Sequence, residues 1–357
     1  MNRDESFGMY LSARIHAKRT AFLGQSLLEE ILGHNDIGVT IKYLLNSPYG
    51  QDLAEALTMF EGADAVEEAL ARNMDRTFQE TLDMVRGDRG TMGLAVIFLA
   101  RWDLAAAKSL LRQSLLGIKE NERRPALVPG PMLRTPVLRE FSEIEPPNAL
   151  VSALAAWRPR MFGCMLRVME QSSGAEPDAS LVVALEETLD RHYFLRSLAG
   201  LGNDENEDLL RHMLRMEIDR INLRNLFRGL QKTGTDEPRE DRFLAGGHLS
   251  HDVLAEMVKA SSIDQAMYLL EKTPYRLLHR DLYRVLQTGK SATIDRRFEW
   301  LFVDALKLMI RAHAFSIAIF MHYVWLKHIE VVNLRVIARG AAAKAPVGGI
   351  REELVYA

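Results

Sequence analysis

Three stretches of this chain read almost alike: WDLAAAKSLLR at 102–112, IDRINLRNLFR at 218–228 and IEVVNLRVIAR at 329–339. Aligned on Ala106, Asn222 and Asn333, they stand 116 and 111 residues apart. Each has an acid three residues before the anchor (Asp103, Asp219, Glu330) and a basic residue two after it (Lys108, Arg224, Arg335). An arginine follows four residues later (Arg112, Arg228, Arg339). Internal self-similarity of this kind is a statement about architecture. It predicts three copies of one helical module, at 1–122, 123–240 and 241–357, and it weighs against a single-copy active site.

Two further markers keep the same order. Asp-Arg-x-aromatic occurs at Asp75–Phe78, Asp190–Tyr193 and Asp295–Phe298. A helix end running into proline occurs at Pro48, Pro159 and Pro274. Between modules lie RRPALVPGPMLRTP (123–136) and the glycine-rich, charged GLQKTGTDEPREDRFLAGG (229–247), neither of which suits continuous helix.

Within the modules, apolar residues recur at i, i+3, i+4 and i+7 over 27–32, 66–78, 94–116, 181–198, 209–230, 253–270 and 298–336. No run alternates with period two, so the expected fold is all-α: three homologous helical modules. The most apolar run, 312–326, is too short for a membrane span and reads as a buried core helix carrying His313 and His322. Asp and aromatic at i and i+3 share a face, which puts the aromatic in the core and the Asp at its edge. The paired arginines at i, i+4 repel one another. The expectation is that each copy's own Asp (Asp75, Asp190 or Asp295) pairs with that copy's basic doublet; the alternative is solvated arginines on an outer face.

Composition narrows the function classes. The chain is 48% apolar and 26% charged with a net charge of −3, which does not favour nucleic acid as a partner. Cys164 is the only cysteine and reads as a small core residue, so no intrachain disulfide is possible and a reducing compartment is expected. The N-terminal residues hold no apolar signal core.

The motifs that could carry chemistry fall short. Gly289-Lys290-Ser291 resembles the tail of a phosphate loop, but its first glycine would fall at Arg284 and no strand precedes it. Gly200-Leu201-Gly202 reads as a helix C-terminus. NDENED (203–208) is the best metal candidate, yet it lacks the glycine and the final acid of a calcium loop. Helix capping by Asn203 or Asp204 is the better reading. His248 and His251 have no third ligand nearby, and Ser250 reads as an N-cap. No catalytic residue, metal ligand or cofactor site is therefore expected. An enzymatic alternative, a magnesium-dependent all-α lyase or prenyl-transfer protein using NDENED, needs a second acidic motif that the sequence does not contain. A generic helical scaffold is the other alternative.

Residues 323–340 (YVWLKHIEVVNLRVIARG) resemble the signature of one family, the C subunit of the archaeal and bacterial A/V-type rotary ATPases, whose eukaryotic counterpart is the V-ATPase d subunit. YLSARIHA (10–17), SPYG (47–50), DRHYF (190–194), DRINLRNL (219–226) and HLS (248–250) fit as well. The first repeat departs from the pattern, with Ala106 and Lys108 in place of Asn and Arg, and 123–136 is long. The resemblance implies three domains around a pseudo-threefold axis, forming a funnel. The funnel would sit on the membrane proteolipid ring at the cytoplasmic face and receive the central shaft, coupling ATP turnover to H+ or Na+ transport. The resemblance implies no catalytic residues, and no nucleotide is expected to bind directly. The candidate shaft-binding residues are Arg224, Arg228, Arg335 and Arg339, with the glycine-rich turns after them.

Overall fold

A computed structural model describes residues 3–115, 117, 128–172, 179–231, 242–260, 263–278, 283 and 292–356. Every regular element among the described residues is helical, as the 3.6-residue period predicts. The chain divides into two compact units, residues 1–189 with 309–357, and residues 190–308.

The first unit opens with α1 (Arg3–Arg19), α2 (Gln25–His34), α3 (Ile37–Leu45), α4 (Gly50–Ala56), α5 (Gly62–Val85) and α6 (Arg89–Leu115). The short helices α7 (Thr135–Ser142), α8 (Pro147–Trp157), α9 (Pro159–Phe162) and α10 (Cys164–Gln171) follow. Each of α7, α8 and α9 carries a proline in its first turn, where a missing N–H costs nothing. Asn35 ends α2 in the left-handed region (φ 45°) and donates its Nδ2 to Ala345 O. Asp36 then starts α3 by accepting Val39 N–H at 2.8 Å.

The core of this unit forms where α5 packs on α4 and on α16 (Ala318–Ala342). Val66, Leu70, Met74 and Phe78 fall every fourth residue on α5 and are all buried. They meet the buried Phe320, Val324, Trp325 and Leu334 side of α16. Trp102 of α6 links the two helices, 5.4 Å from Phe78 and 6.2 Å from Trp325 between ring centroids. Such pairs add about 0.5–1.5 kcal/mol each beyond the area they bury.

The second unit is built on α12 (Glu205–Gln231), with α13 (His251–Val258), α14 (Ile263–Glu271) and a 3-10 turn at Arg276–Leu278. α11 (Ala179–Ala199) and α15 (Ala292–Ala312) contain the points where the chain passes between units. Met213, Ile218, Leu223 and Phe227 of α12 are buried, as are Phe298, Phe302 and Leu306 of α15. The Asp-Arg-x-aromatic motif behaves as its spacing predicts, with Phe78, Tyr193 and Phe298 all buried.

One element differs from expectation. The run 312–326 is not one buried helix: α15 stops at Ala312, and α16 starts at Ala318. Ser316 makes the break, its Oγ donating to His313 O and accepting Ala318 N–H. A serine that offers the backbone a local partner competes with helical hydrogen bonding. Phe315 is 51% exposed in this turn, and Phe315 O lies only 2.1 Å from where a Cβ on Gly8 would stand. His313 therefore sits in a half-buried turn, whereas His322 is buried within α16.

Candidate functional site

The three repeated stretches lie on the three long helices α6, α12 and α16, and their acids are all buried: Asp103, Asp219 and Glu330. Each acid holds the backbone two residues ahead of another helix. Asp103 Oδ1 accepts Met132 N–H at 2.9 Å and Leu133 N–H at 2.7 Å, just before α7. Asp219 accepts His248 N–H at 2.8 Å and Leu249 N–H at 3.1 Å, just before α13. Glu330 accepts Leu23 N–H at 2.5 Å, just before α2. In the first two cases the leucine lies 30 residues downstream of the acid. In the third it comes from the start of the chain.

The anchor residues add a second clasp in two copies. Asn222 donates to Leu244 O and accepts Leu244 N–H, at 2.9 and 2.8 Å. Asn333 does the same with Val355, at 2.7 and 2.9 Å. In both the partner is 22 residues on. Ala106 has no polar side chain to make this clasp; in the first copy Gln79 Nε2 instead donates to Pro131 O at 3.0 Å, beside the Asp103 bonds.

The prolines of the sequence pattern deliver a third contact. Tyr49, after Pro48, donates its hydroxyl to Glu330 Oε1 at 2.6 Å, and Tyr275, after Pro274, donates to Asp219 Oδ2 at 2.7 Å. After Pro159 stands Arg160, with no phenol to give. Lys327 Nζ completes the third cluster, 2.9 Å from Glu330 Oε1 and 2.7 Å from Tyr49 Oη. The loops approach the short aspartates closely. A Cβ on Gly130 would stand 2.2 Å from Asp103 Oδ1, and one on Gly247 2.0 Å from Asp219 Oδ1. Glutamate is one methylene longer, and Glu330 reaches its loop with no glycine pressed against it among the described residues.

Burial sets the electrostatics. It pushes the Asp103 carboxyl up to about 6, against the pull of the Leu133 and Met132 N–H groups and Arg158. Burial also raises Asp219, opposed first by the Tyr275 hydroxyl, and raises Tyr275 in turn. Lys327 is lowered by burial and partly restored by Glu330. Each cluster is a hydrogen-bonded polar network inside an apolar core.

The basic residues on these helices also find acids, but not where sequence reasoning placed them. Arg112 pairs with Glu186 at 2.6 Å, Arg339 bonds Glu67 through both Nε and Nη2, and Arg224 stands 3.6 Å from Asp295. In all three the acid belongs to the next of the three expected segments, and the third returns to the first. The expected pairing within the copy is thus corrected for Asp75 and Asp295. Asp75 shows why: its carboxylate is taken by Arg134 at 2.9 Å, immediately before α7. Arg335 differs from the others, with Nε and Nη2 buried and without hydrogen-bond partners. The Arg228 side chain lies outside the described residues.

A model of the ATP synthase (C/AC39) subunit family matches residues 11–353. The chain belongs to that family. The A-type ATP synthase C subunit of Methanococcoides burtonii is 26% identical over 354 residues, covering 97% of this chain and 93% of that protein. That of Halorubrum lacusprofundi is 27% identical, covering 97% of each. That of Methanocaldococcus jannaschii is 21% identical, covering 97% and 86%. The resemblance carried by residues 323–340 therefore extends over nearly the whole chain, and every acid and asparagine of the three clasps lies within the matched span.

The remaining candidates in this family member resolve as local structure. NDENED is a capping box: Asp204 Oδ1 accepts Glu207 N–H at 2.8 Å, and Glu207 Oε2 accepts Asp204 N–H at 3.0 Å. Ser250 caps α13 through Val253 N–H. Gly200 follows the end of α11, bonded to Arg196 O. Cys164 is half-buried, and burial raises its thiol. Gly289-Lys290-Ser291 lies outside the described residues. Among the described residues no three His, Cys, Asp or Glu side chains group to hold a metal ion. No helix among them is long and apolar enough to cross a membrane.

Sequence reasoning found the acids and asparagines as a pattern but missed their partners. Tyr49, Tyr275 and Lys327 stood in the recognised patterns without this role, and Gly130 and Gly247 were overlooked. Two signals were available: a tyrosine after the proline in two of three copies, and a glycine just before the clasped leucine in two of three.

Proposed function

We propose that this chain is a non-catalytic central-stalk component of an A/V-type rotary ATPase, a socket that joins the rotating shaft to the membrane proteolipid ring. In this reading its three modules, residues 1–122, 123–240 and 241–357, surround a pseudo-threefold axis as a funnel at the cytoplasmic face. It binds the central-shaft subunits and the ring, binds no nucleotide, and links ATP synthesis or hydrolysis to movement of H+ or Na+. The observation that carries the reading is the family match from residue 11 to residue 353, along nearly the full length of relatives that are C subunits of A-type ATP synthases.

The geometry supports the role. A coupler must resist twisting without a hinge, and here each long helix is fastened near its middle to the backbone that enters another helix. Shaft contacts are assigned to Arg224, Arg228, Arg335 and Arg339. Arg339 already serves an internal pair with Glu67, so charge reversal at Arg228 and Arg339 separates the roles. Lost assembly at an unchanged melting temperature assigns them to the shaft; a lowered melting temperature assigns them to internal pairing.

The decisive experiment is purification of a tagged copy from the cell's own membranes. The proteolipid ring and the shaft subunits should come with it. Membrane vesicles from a strain lacking the chain should lose ATP-driven ion uptake. Recovery of the chain free of both partners, or undiminished ion uptake without it, rejects the proposal.

A further inference from the structure

The third clasp is built differently from the other two. Gly130 and Gly247 press against Asp103 and Asp219, whereas the longer Glu330 holds Leu23 N–H at 2.5 Å beside a cavity of about 320 Å³. That volume is at the low end of those that take small molecules. The cavity lies entirely within the first unit, between the α1–α2 corner, α16 and the C-terminal residues. Its floor is apolar: Leu28, Ile329 and Val355 are buried, with Phe22, Leu23 and Leu326 half-buried around them.

The polar groups deeper in the cavity are already engaged. Glu330 accepts from Leu23, Tyr49 and Lys327, and the Lys327 ammonium at 2.9 Å balances its charge. Asn333 is bonded at both ends to Val355, and Tyr356 donates its hydroxyl to Glu29, which pairs with Arg351. The rim is different. Arg19, ending α1, and Gln25, starting α2, line it. Neither side chain has a hydrogen bond or an ion pair among the described residues, while the adjacent Lys18 is held by Glu80. No side chain caps α2 at Gly24 and no acid stands in its first turn, so the helix start adds partial positive charge on the same side. An unpaired guanidinium above an apolar floor, with Glu330 and Glu29 both engaged, selects an anion with an apolar body.

We propose that this cavity is a binding site for a small amphiphilic carboxylate, a medium-chain fatty acid, with its acyl chain on the floor of Leu28, Ile329 and Val355 and its carboxylate on Arg19. The guanidinium gives the carboxylate charge-assisted N–H bonds, and the Gln25 amide offers a further donor. The acyl chain displaces water from apolar surface, which supplies affinity without regard to charge. Head-group charge therefore decides between ligands of equal chain length. An alcohol finds the floor but no ion pair, and an ammonium meets Arg19 and the helix start. The bound ligand touches Leu23 on one side and Val355 on the other, the segments that Glu330 and Asn333 fasten to α16, and so tightens both clasps. The site stands apart from the assembly proposed above and does not depend on it.

Thermal melts and isothermal titrations of the full-length chain with octanoate, octanol and octylamine, matched in chain length, test this. At a free concentration about ten times its Kd, octanoate should raise the melting temperature by about 2 °C or more. It should bind roughly tenfold more tightly than octanol, with octylamine the weakest of the three. Arg19→Gln should bring octanoate down to the affinity of octanol and leave octanol unchanged. Leu326→Trp, which fills the cavity from a half-buried position, should abolish binding of all three at an unchanged ligand-free melting temperature. No binding of octanoate by the wild-type chain overturns the proposal, as does equal affinity for octanoate and octanol. Undiminished octanoate binding in Arg19→Gln or in Leu326→Trp puts the ligand elsewhere and overturns it too.

Discussion

Asp103 shows how a single buried carboxylate can be structurally necessary and energetically costly at once. Its Oδ1 satisfies two backbone N–H groups, and its burial lifts the carboxyl to about 6. The folded chain therefore keeps a proton on Asp103 between about pH 4 and 6, where the unfolded chain has released it. Stability from this group falls as pH rises across that window, by roughly 3 kcal/mol at about 1.4 kcal/mol per unit. Asn supplies the same acceptor without the charge. Asp103→Asn should leave the chain at least as stable near neutral pH and remove this part of the pH dependence. Asp103→Ala strands both N–H groups and should cost about 2–4 kcal/mol at every pH. Urea unfolding midpoints at acid and neutral pH measure all three chains. Identical pH dependence in wild type and Asp103→Asn would show that the carboxyl does not carry this charge.

At the scale of elements, what the sequence disclosed was whatever a helix writes into its own side chains. The period of apolar residues located α5, α12 and α16, and Ser250 announced the start of α13. The acids on the long helices were visible as a pattern but not as clasps, because their partners are backbone N–H groups, which every residue carries. The break at 313–317 was hidden for a related reason. Ser316 and a close approach to Gly8, some 300 residues away in sequence, make it. The basic faces were misassigned because ion pairing depends on which helices lie side by side, and Asp75 meets Arg134 before any residue of its own anchor helix. NDENED was legible because a capping box is local. Asp204→Ala should cost about 1 kcal/mol of stability by freeing Glu207 N–H, and adding Glu207→Ala should lower it further, since the residue-204 backbone N–H then loses its separate bond to Glu207. Magnesium should shift neither midpoint. A magnesium-dependent rise in the wild-type melting temperature, abolished by Asp204→Ala, would restore the metal reading that capping replaced.

At the scale of the whole molecule, the third long helix is the informative one. α6 and α12 clasp backbone that lies downstream of them, but Glu330 of α16 clasps Leu23, and Arg339 pairs with Glu67. The third repeated helix thus fastens to elements near the start of the chain, within the first unit. Residues beyond α16 also return to it: Val355 is held by Asn333 at 2.7 and 2.9 Å, and the neighbouring Tyr356 donates its hydroxyl to Glu29 on α2. The C-terminal residues are therefore part of the first unit's core. Removing 355–357 and substituting Asn333→Ala each take away one side of the same clasp. Each change should lower stability by about 1–3 kcal/mol, because a buried polar group is left without its partner. Together they should cost at least about 1 kcal/mol less than their sum, the mark of residues that act through one another. Asn222→Ala, in the other unit, should add to the truncation without any such saving. Calorimetric or urea stabilities of these chains decide it. Simple additivity between Asn333→Ala and the truncation would mean that the tail stabilises the fold only by covering apolar surface, and that the clasp on the third helix carries no weight of its own.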